Sequence, residues 1–139
     1  MSGTDIDPIR EVRRLHVLLE DWYGGIRADL GPFESSLADG FSAITHDGAL
    51  YDGPGYLEAL HERRDEQAGI VSIDLDQLTA QRSLYGVHQV TFEKQVKTDA
   101  EPTTSTCSMW LRETSRTATG LQWLHLQETP IEPENENED

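Results

Sequence analysis

The stretch FSAITHDGALYDGPGYLEALHERR, residues 41–64, decides the fold, because it places a hairpin directly before a helix. Apolar and polar residues alternate imperfectly on either side of Asp47-Gly48, and Asp-Gly between such runs is a strong signal for a tight hairpin turn. Asp52 is placed to cap a helix, and Pro54 lies in the first turn, where its missing N–H costs nothing. We therefore predict a short hairpin over residues 41–52 that leads into a helix over residues 54–66.

Two further helices are predicted before the hairpin. Asp7-Pro8 can open a helix in the same way, and apolar residues follow at three- and four-residue steps as far as Ile26. Gly31-Pro32 starts a second, short helix that is expected to end at Asp39-Gly40. The sequence thus predicts three helices around the hairpin.

Long strands are predicted downstream, because apolar residues recur at every second position from residue 70 onward. The apolar parity switches between Leu75 and Leu78, and a β-bulge near Asp76-Gln77 would explain the switch. A regular strand follows over residues 88–96. We expect these strands to form one curved sheet.

The last two strands carry apolar residues on both faces. In residues 104–114 Trp110 is expected to point away from Met109 and Leu111. In residues 121–128 strict alternation would put Trp123, His125 and Gln127 on one face. Two successive strands of this kind in an antiparallel sheet need cover on both sides. We expect helices on one face and a second copy of the chain on the other, which predicts a homodimer through the sheet face.

Length and composition predict one domain. The chain has 139 residues, enough for a single core, and its lone Cys107 cannot form an internal disulfide. We assign residues 1–6 to a disordered N-terminus, 7–129 to the domain and 130–139 to a disordered acidic tail. No apolar run could span a bilayer and the N-terminus lacks the apolar core of a secretory signal, so a cytoplasmic protein is expected.

The formal net charge of −15 argues against nucleic acid and anionic membranes as partners, since both would be repelled. Only Lys94 and Lys97 are lysines, and an acid-rich, lysine-poor chain is typical of proteins adapted to high salt. The alternative is an acidic protein from an ordinary environment. Full stability and solubility in dilute buffer would contradict the halophilic hypothesis.

The order of these elements, together with several short segments, resembles the nuclear transport factor 2-like superfamily. Residues 37–41 (LADGF) running into 44–48 (ITHDG) look like the helix-to-hairpin segment of its SnoaL-like and uncharacterised small members. Residues 109–112 (MWLR) and 121–129 (LQWLHLQET) look like the closing strands, including those of calcium/calmodulin-dependent kinase association domains. The resemblance covers roughly residues 9–129.

This resemblance implies an α+β fold in which three N-terminal helices pack on a strongly curved, mainly antiparallel sheet to form a cone with a cavity, with a short hairpin at 41–52. The sequence departs from the kinase association domains at Leu121, where they carry tryptophan, and at Gln127, where they carry a second histidine. An activity that needs two imidazoles is therefore not implied. The buried carboxylates and tyrosines of the superfamily's isomerases and hydrolases do not map onto this chain either.

His88 and His125 are the candidate catalytic residues. A neutral imidazole in an apolar pocket can donate and accept a hydrogen bond at once, or act as a general base near neutral pH. The alternative for each is a core or interface histidine bonded to a backbone carbonyl. His46-Asp47 is rejected as a catalytic pair, because adjacent strand residues point opposite ways and the turn needs Asp47.

The candidate ligand-binding residues are aromatic side chains and polar groups near the closing strands. Arg112 could anchor a carboxylate through its two-pronged donors, or could simply reach solvent from a strand end. The aromatic residues could wall a pocket, with plain core packing as the alternative. The full set is Trp22, Tyr23, Tyr51, Tyr56, Trp110, Arg112, Trp123 and Gln127.

Three functions remain open. The first is a homodimeric domain that binds a small apolar or carboxylate-containing ligand. The second is a cofactor-free SnoaL-like isomerase, cyclase or hydrolase that uses a cavity histidine, and the third is a protein-interaction or oligomerisation module. Paired cysteines, zinc-type histidine motifs and phosphate-binding glycine loops are missing from the sequence, so no metal or cofactor is predicted.

Overall fold

A computed structural model describes residues 6–26, 29–64, 72–83, 85–98 and 101–131. Within these ranges the chain forms three helices and six strands. Their bounds are α1 Pro8–Tyr23, α2 Gly31–Ser36, β1 Leu37–Ile44, β2 Leu50–Asp52, α3 Gly53–Glu62, β3 Ser72–Arg82, β4 Val87–Lys97, β5 Thr103–Glu113 and β6 Leu121–Pro130. The predicted disorder at 1–6 and 130–139 falls largely on residues outside the described ranges.

The predicted helix starts are confirmed by their caps. The side chain of Asp7 accepts a hydrogen bond from the backbone N–H of Arg10 at 3.1 Å, and that of Asp52 accepts from Gly55 at 2.8 Å. Each carboxylate satisfies a backbone donor that the first helical turn leaves free. α3 ends at Glu62 with Arg63 as its C-cap, so it is shorter than the predicted helix to residue 66.

The predicted end of the second helix is wrong. α2 stops at Ser36, and Leu37 already starts β1. Asp39-Gly40 lies where the register of β1 against β6 shifts, and Gly40 has a φ of 81°, which favours glycine. The pair that looks like a helix stop is therefore an irregular step inside a strand.

The strands form one sheet in the order β2-β1-β6-β5-β4-β3. β1 and β6 run parallel, and the other neighbouring pairs are antiparallel. α1 packs against β3 and β4, and α3 packs against β1, so the helices cover one face, here called the inner face. The α+β class with a mainly antiparallel sheet is confirmed.

Two bulges set the faces of the long strands. The predicted bulge in β3 is confirmed, because the register shifts between Asp76 and Thr79 and Gln77 has a φ of 54°. A second bulge in β6 was not predicted. Leu111 pairs with Trp123 and Trp110 pairs with His125, so Leu124, which lies between the two β6 partners, is the extra residue of the bulge.

The second bulge corrects the predicted faces of β6. Trp123 is fully buried under the helices, whereas His125 lies opposite the exposed Trp110 on the other side, here called the outer face. Gln127 is likewise exposed. The expectation that Trp123, His125 and Gln127 share one face is wrong, because the extra residue inverts the alternation after Trp123.

The core lies between α1, α3 and the inner face of the sheet. Its fully buried members include Leu15, Phe33, Met109, Leu111 and Trp123. Phe33 meets Trp123 edge to face, with ring centroids 6.3 Å apart. This packing seals one end of the space between the helices and the sheet, and a cavity remains at the other end.

Candidate functional site

A cavity of about 250 Å³ lies between α1, α3, the hairpin and the inner face of the sheet. Its deep wall includes Leu19 and Leu60, both buried. Its mouth includes the exposed residues His46, Glu101 and Thr103. The buried end therefore combines apolar side chains with the polar groups of Lys94, Ser105 and Glu128, and the other end reaches solvent.

Three tyrosines from three different elements wall the cavity: Tyr23 from α1, Tyr51 from β2 and Tyr56 from α3. Tyr56 is buried against Phe41, with ring centroids 5.4 Å apart. Burial raises the pKa of Tyr23 to about 12 and the pKa of Tyr56 well above its usual value, and the charge of Glu128 adds to both shifts. These phenols stay neutral at physiological pH.

A buried ion pair lies on the inner face at the cavity wall. Lys94 Nζ on β4 donates to Glu128 Oε2 on β6 at 2.6 Å, across the intervening β5. The two residues are only 8% and 9% exposed. Burial alone would raise the pKa of Glu128, but the charge and hydrogen bond of Lys94 outweigh it and hold that pKa below its usual value. Glu128 is therefore a carboxylate at neutral pH, and Lys94 forms a buried ion pair with it.

His16 lies near this ion pair, on the face of α1 that is buried in the core. Its Nδ1–H donates to the carbonyl oxygen of Val12 at 2.8 Å, which leaves Nε2 as an acceptor that is buried without a hydrogen-bond partner. Burial, and secondarily the charge of Lys94, lowers the pKa of His16 to about 3. The imidazole is thus neutral at physiological pH.

The hairpin turn holds a cation at the mouth. Arg63 Nη2 donates to Asp47 Oδ2 at 3.0 Å and to Tyr51 Oη at 3.1 Å. Hydrogen bonds from Thr45, the Ala49 amide and Arg63 lower the pKa of Asp47, which therefore interacts with these groups and not with His46. The turn thus fixes Arg63 and, through it, the Tyr51 ring.

Three of the predicted ligand-binding residues, Tyr23, Tyr51 and Tyr56, line this cavity. Two others are packed into the core. Trp22 Nε1 donates to the Leu60 carbonyl at 2.8 Å, and Trp123 Nε1 donates to Glu11 Oε2 at 2.7 Å. Neither tryptophan is among the cavity-lining residues.

The remaining ligand-binding candidates lie on the outer face. Trp110 is 37% exposed there, and Arg112 Nη2 donates to Gln122 Oε1 at 3.2 Å. Gln127 is exposed on the neighbouring strand. The structure therefore separates Trp110, Arg112 and Gln127 from the tyrosines by the thickness of the sheet.

The two candidate catalytic histidines are not at the cavity. His88 Nε2 lies 2.7 Å from Glu113 Oε2 at the far end of β4, six positions and about 20 Å along the strand from Lys94. His125 Nδ1 lies 2.7 Å from Ser42 Oγ on the outer face. The structure does not bring the two imidazoles together.

The sequence reasoning missed Lys94, Glu128 and His16. The sequence does contain a signal for Lys94 and Glu128. Lys94 lies at an alternate position of β4 between the apolar Phe92 and Val96, so its side chain is on the same face as theirs. Glu128 likewise follows the buried Leu126 by two positions. A charged side chain at an inward-facing strand position needs a partner of opposite charge. Lys94 and Glu128 are such partners for each other.

Within the described ranges, no cluster of three or more histidine, cysteine or acidic side chains could hold a metal ion. Among the same residues, no helix is long and apolar enough to cross a membrane. Burial raises the pKa of the Cys107 thiol to about 12, so this side chain is protonated and unreactive.

Comparison with solved structures gives the same fold. A nuclear transport factor 2-like protein of unknown function from Pseudomonas aeruginosa is similar to this chain, with 25% identity, 88% of this chain and 97% of that chain covered, and a TM-score of 0.78. The calcium/calmodulin-dependent kinase II hub of S. rosetta is similar at 15% identity, with 94% and 100% covered and a TM-score of 0.69. An uncharacterised protein with a cystatin-like fold from Caulobacter vibrioides is similar at 11% identity, with 89% and 90% covered and a TM-score of 0.64.

No protein-family model matches the sequence, and no curated protein does. The similar structures are nuclear transport factor 2-like proteins of unknown function, a kinase hub and a cystatin-like protein. The predicted resemblance to the nuclear transport factor 2-like superfamily is thereby confirmed at the level of the fold.

Proposed function

We propose that this chain binds a small organic molecule in the tyrosine-walled cavity, where the helices and the curved sheet form a cone. The observation that carries the proposal is the cavity itself, which combines apolar side chains and aromatic rings with polar groups at fixed positions, some of them buried. Pockets that bind small molecules have this composition. The tyrosines are supplied by three separate elements, so their geometry is set by the fold as a whole.

Binding is favoured over general-base catalysis. Glu128 is the carboxylate nearest the buried end, and its lowered pKa makes it a weak proton acceptor. Neither His88 nor His125 lines the cavity, and the histidine that does, His46, lies exposed at its mouth. A general base works best with a pKa near neutrality, and the lowered pKa of Glu128 lies further from that range than the pKa of an ordinary carboxyl group.

The experiment is a ligand-observed NMR screen of single-ring fragments against the wild-type chain and two variants in which an alanine is replaced by phenylalanine. Ala59 lines the cavity, so Ala59→Phe should fill it and abolish binding of the fragments that the wild type retains. Ala80→Phe, at an exposed position on β3, is the matched control and should leave binding unchanged. If no fragment binds, or if Ala59→Phe binds as well as the control, the proposal fails.

We also propose that the chain forms a homodimer through the outer face of the sheet. Trp110 is a large aromatic side chain, 37% exposed, in the middle of this face, and the half-buried His125 and Ser42 lie beside it. Aromatic side chains of this kind dominate the energy of protein interfaces. Some structures with this fold are described as hub or association domains, which supports self-association.

Sedimentation velocity tests the dimer. Trp110→Glu should weaken self-association by about tenfold or more, since it removes an anchor and places a charge in the interface. Tyr85→Glu is the control, because Tyr85 is 88% exposed in the turn before β4. A wild-type chain that sediments as a monomer at all concentrations and salt levels would refute the proposal.

A further inference from the structure

The buried charges that line the cavity are already paired within the protein, and Glu101 lies exposed at the mouth. Lys94 is held by Glu128 at 2.6 Å, and Arg63 is held by Asp47 at 3.0 Å. An anionic ligand would have to displace the Glu128 carboxylate from Lys94 or lie beside it as a like charge. A cationic ligand would meet the same obstacle at Lys94. Burying an unpaired charge is costly, so the wall of the cavity disfavours ligands of either sign.

Behind the mouth, the groups that can contact a ligand without breaking an ion pair are neutral hydroxyls and aromatic rings. Tyr23 and Tyr56 remain un-ionised phenols, and Ser105 adds a buried hydroxyl on β5. Hydroxyls donate and accept hydrogen bonds equally well, so they suit a ligand group that does both. Rings that wall a narrow space favour a flat partner that can stack or meet them edge to face.

The size of the cavity fits one aromatic ring with small substituents. A dry apolar cavity of about 150 Å³ is large enough for benzene. The cavity here measures about 250 Å³, which leaves room for a ring and one or two short groups.

From these three observations we infer that the cavity selects a neutral, single-ring aromatic molecule with a hydrogen-bonding substituent, of the phenol type, over anions and cations of the same size. This inference rests on the proposed function, because it specifies the ligand of the same cavity. The inference is narrower than the ligand class predicted from the sequence, a small apolar or carboxylate-containing molecule. It leaves out carboxylates because they would compete with Glu128 for Lys94.

The test uses three probes that share a para-methyl ring: p-cresol, 4-methylbenzoate and 4-methylbenzylamine, which at pH 7 are neutral, anionic and cationic. Titration followed by NMR should give p-cresol an affinity about tenfold or more above either charged probe. The net charge of −15 attracts the amine to the surface, so the titrations are run in about 0.5 M salt to screen that field. Equal or tighter binding of either charged probe would overturn the inference and leave the proposed function standing. No binding by any of the three probes would also overturn the inference, and the fragment screen would then decide the proposed function.

A charge-switch variant gives a second, independent readout. Glu128→Gln removes the built-in partner of Lys94, so 4-methylbenzoate should gain affinity and overtake p-cresol. Glu93→Gln makes the same change in net charge one residue from Lys94, outside this cavity, and should leave the order of the probes unchanged. An unchanged order in Glu128→Gln would show that the ion pair does not set selectivity and would overturn the inference.

The double variant Lys94→Met with Glu128→Leu covers the case in which Glu128→Gln does not fold. Replacing a buried ion pair by apolar residues of similar size commonly preserves folding. It should still bind p-cresol more tightly than either charged probe, because the wall then offers no partner to an anion or a cation and the rings remain. Loss of p-cresol binding in this folded variant would overturn the inference.

Discussion

The stability of this protein should fall by about 2 kcal/mol between pH 7 and pH 5 because of one buried histidine, His16. The pKa of His16 is about 3 in the folded protein, against an ordinary value of 6.5. Between these values the unfolded chain binds a proton that the folded chain does not. The free energy of unfolding therefore decreases as the pH falls through this window.

The magnitude follows from the linkage between proton binding and folding. Each pH unit below 6.5 costs about 1.36 kcal/mol as long as the folded-state imidazole stays neutral, and pH 5 lies 1.5 units below that value. At pH 7 the contribution is close to zero. His16→Gln keeps a polar side chain that can reach the Val12 carbonyl but removes the titrating group, so this part of the pH dependence should vanish.

Urea unfolding of the wild type and of His16→Gln at pH 7 and pH 5 provides the measurement. Other groups contribute the same pH dependence to both proteins, so the comparison isolates His16 whatever the starting stability of the variant. His61→Gln removes a solvent-exposed histidine and should behave like the wild type. The reasoning is refuted if His16→Gln loses as much stability as the wild type between the two pH values.

Two further perturbations follow from the buried pair and from the hairpin. Glu128→Gln leaves the Lys94 ammonium buried without its partner and should lower the free energy of unfolding in urea by about 3 kcal/mol. The control Glu93→Gln should lower it by less than about 0.5 kcal/mol, and equal losses would contradict the role given to the ion pair. Gly48→Ala should lower stability by about 1 kcal/mol, because φ is 84° at this turn position. Gly53→Ala is its control in thermal unfolding: an added Cβ would meet Leu37 at an ordinary 3.6 Å, so a loss as large as that of Gly48→Ala would argue against backbone strain at the turn.

Local chemistry made much of the fold predictable. Asp7, Asp52 and the Asp47-Gly48 turn are signals that act within a few residues, and the caps and the hairpin form where these signals lie. The parity switch in β3 likewise located its bulge. The end of α2 was not predictable in this way, because Asp39-Gly40 suits both a helix stop and an irregular strand, and pairing with β6 decides between them.

The candidate site was harder to predict, because it depends on which face of each strand is inner. Tyr23, Tyr51 and Tyr56 were predicted as wall residues and line the cavity, but they were chosen as aromatic residues without knowledge of the face. In β6 the extra residue after Trp123 moves His125 to the outer face, and no local pattern marks it. The partnership of Lys94 and Glu128 spans three strands, so it exists only once the sheet is assembled.

The position of β6 has a consequence for how the chain folds during synthesis. β1 and β2 emerge from the ribosome early, but β1 reaches the rest of the sheet only through β6, the last strand to be made. Pairings between distant segments form slowly, and an unpaired strand edge is prone to join the wrong partner. In the nascent chain, the β1–β2 hairpin and the β3–β5 meander therefore remain unpaired with each other until β6 is made and pairs with both. A truncation within Leu121–Pro130 would accordingly leave two separate sheets with open edges, and the expected result is aggregation of the shortened chain.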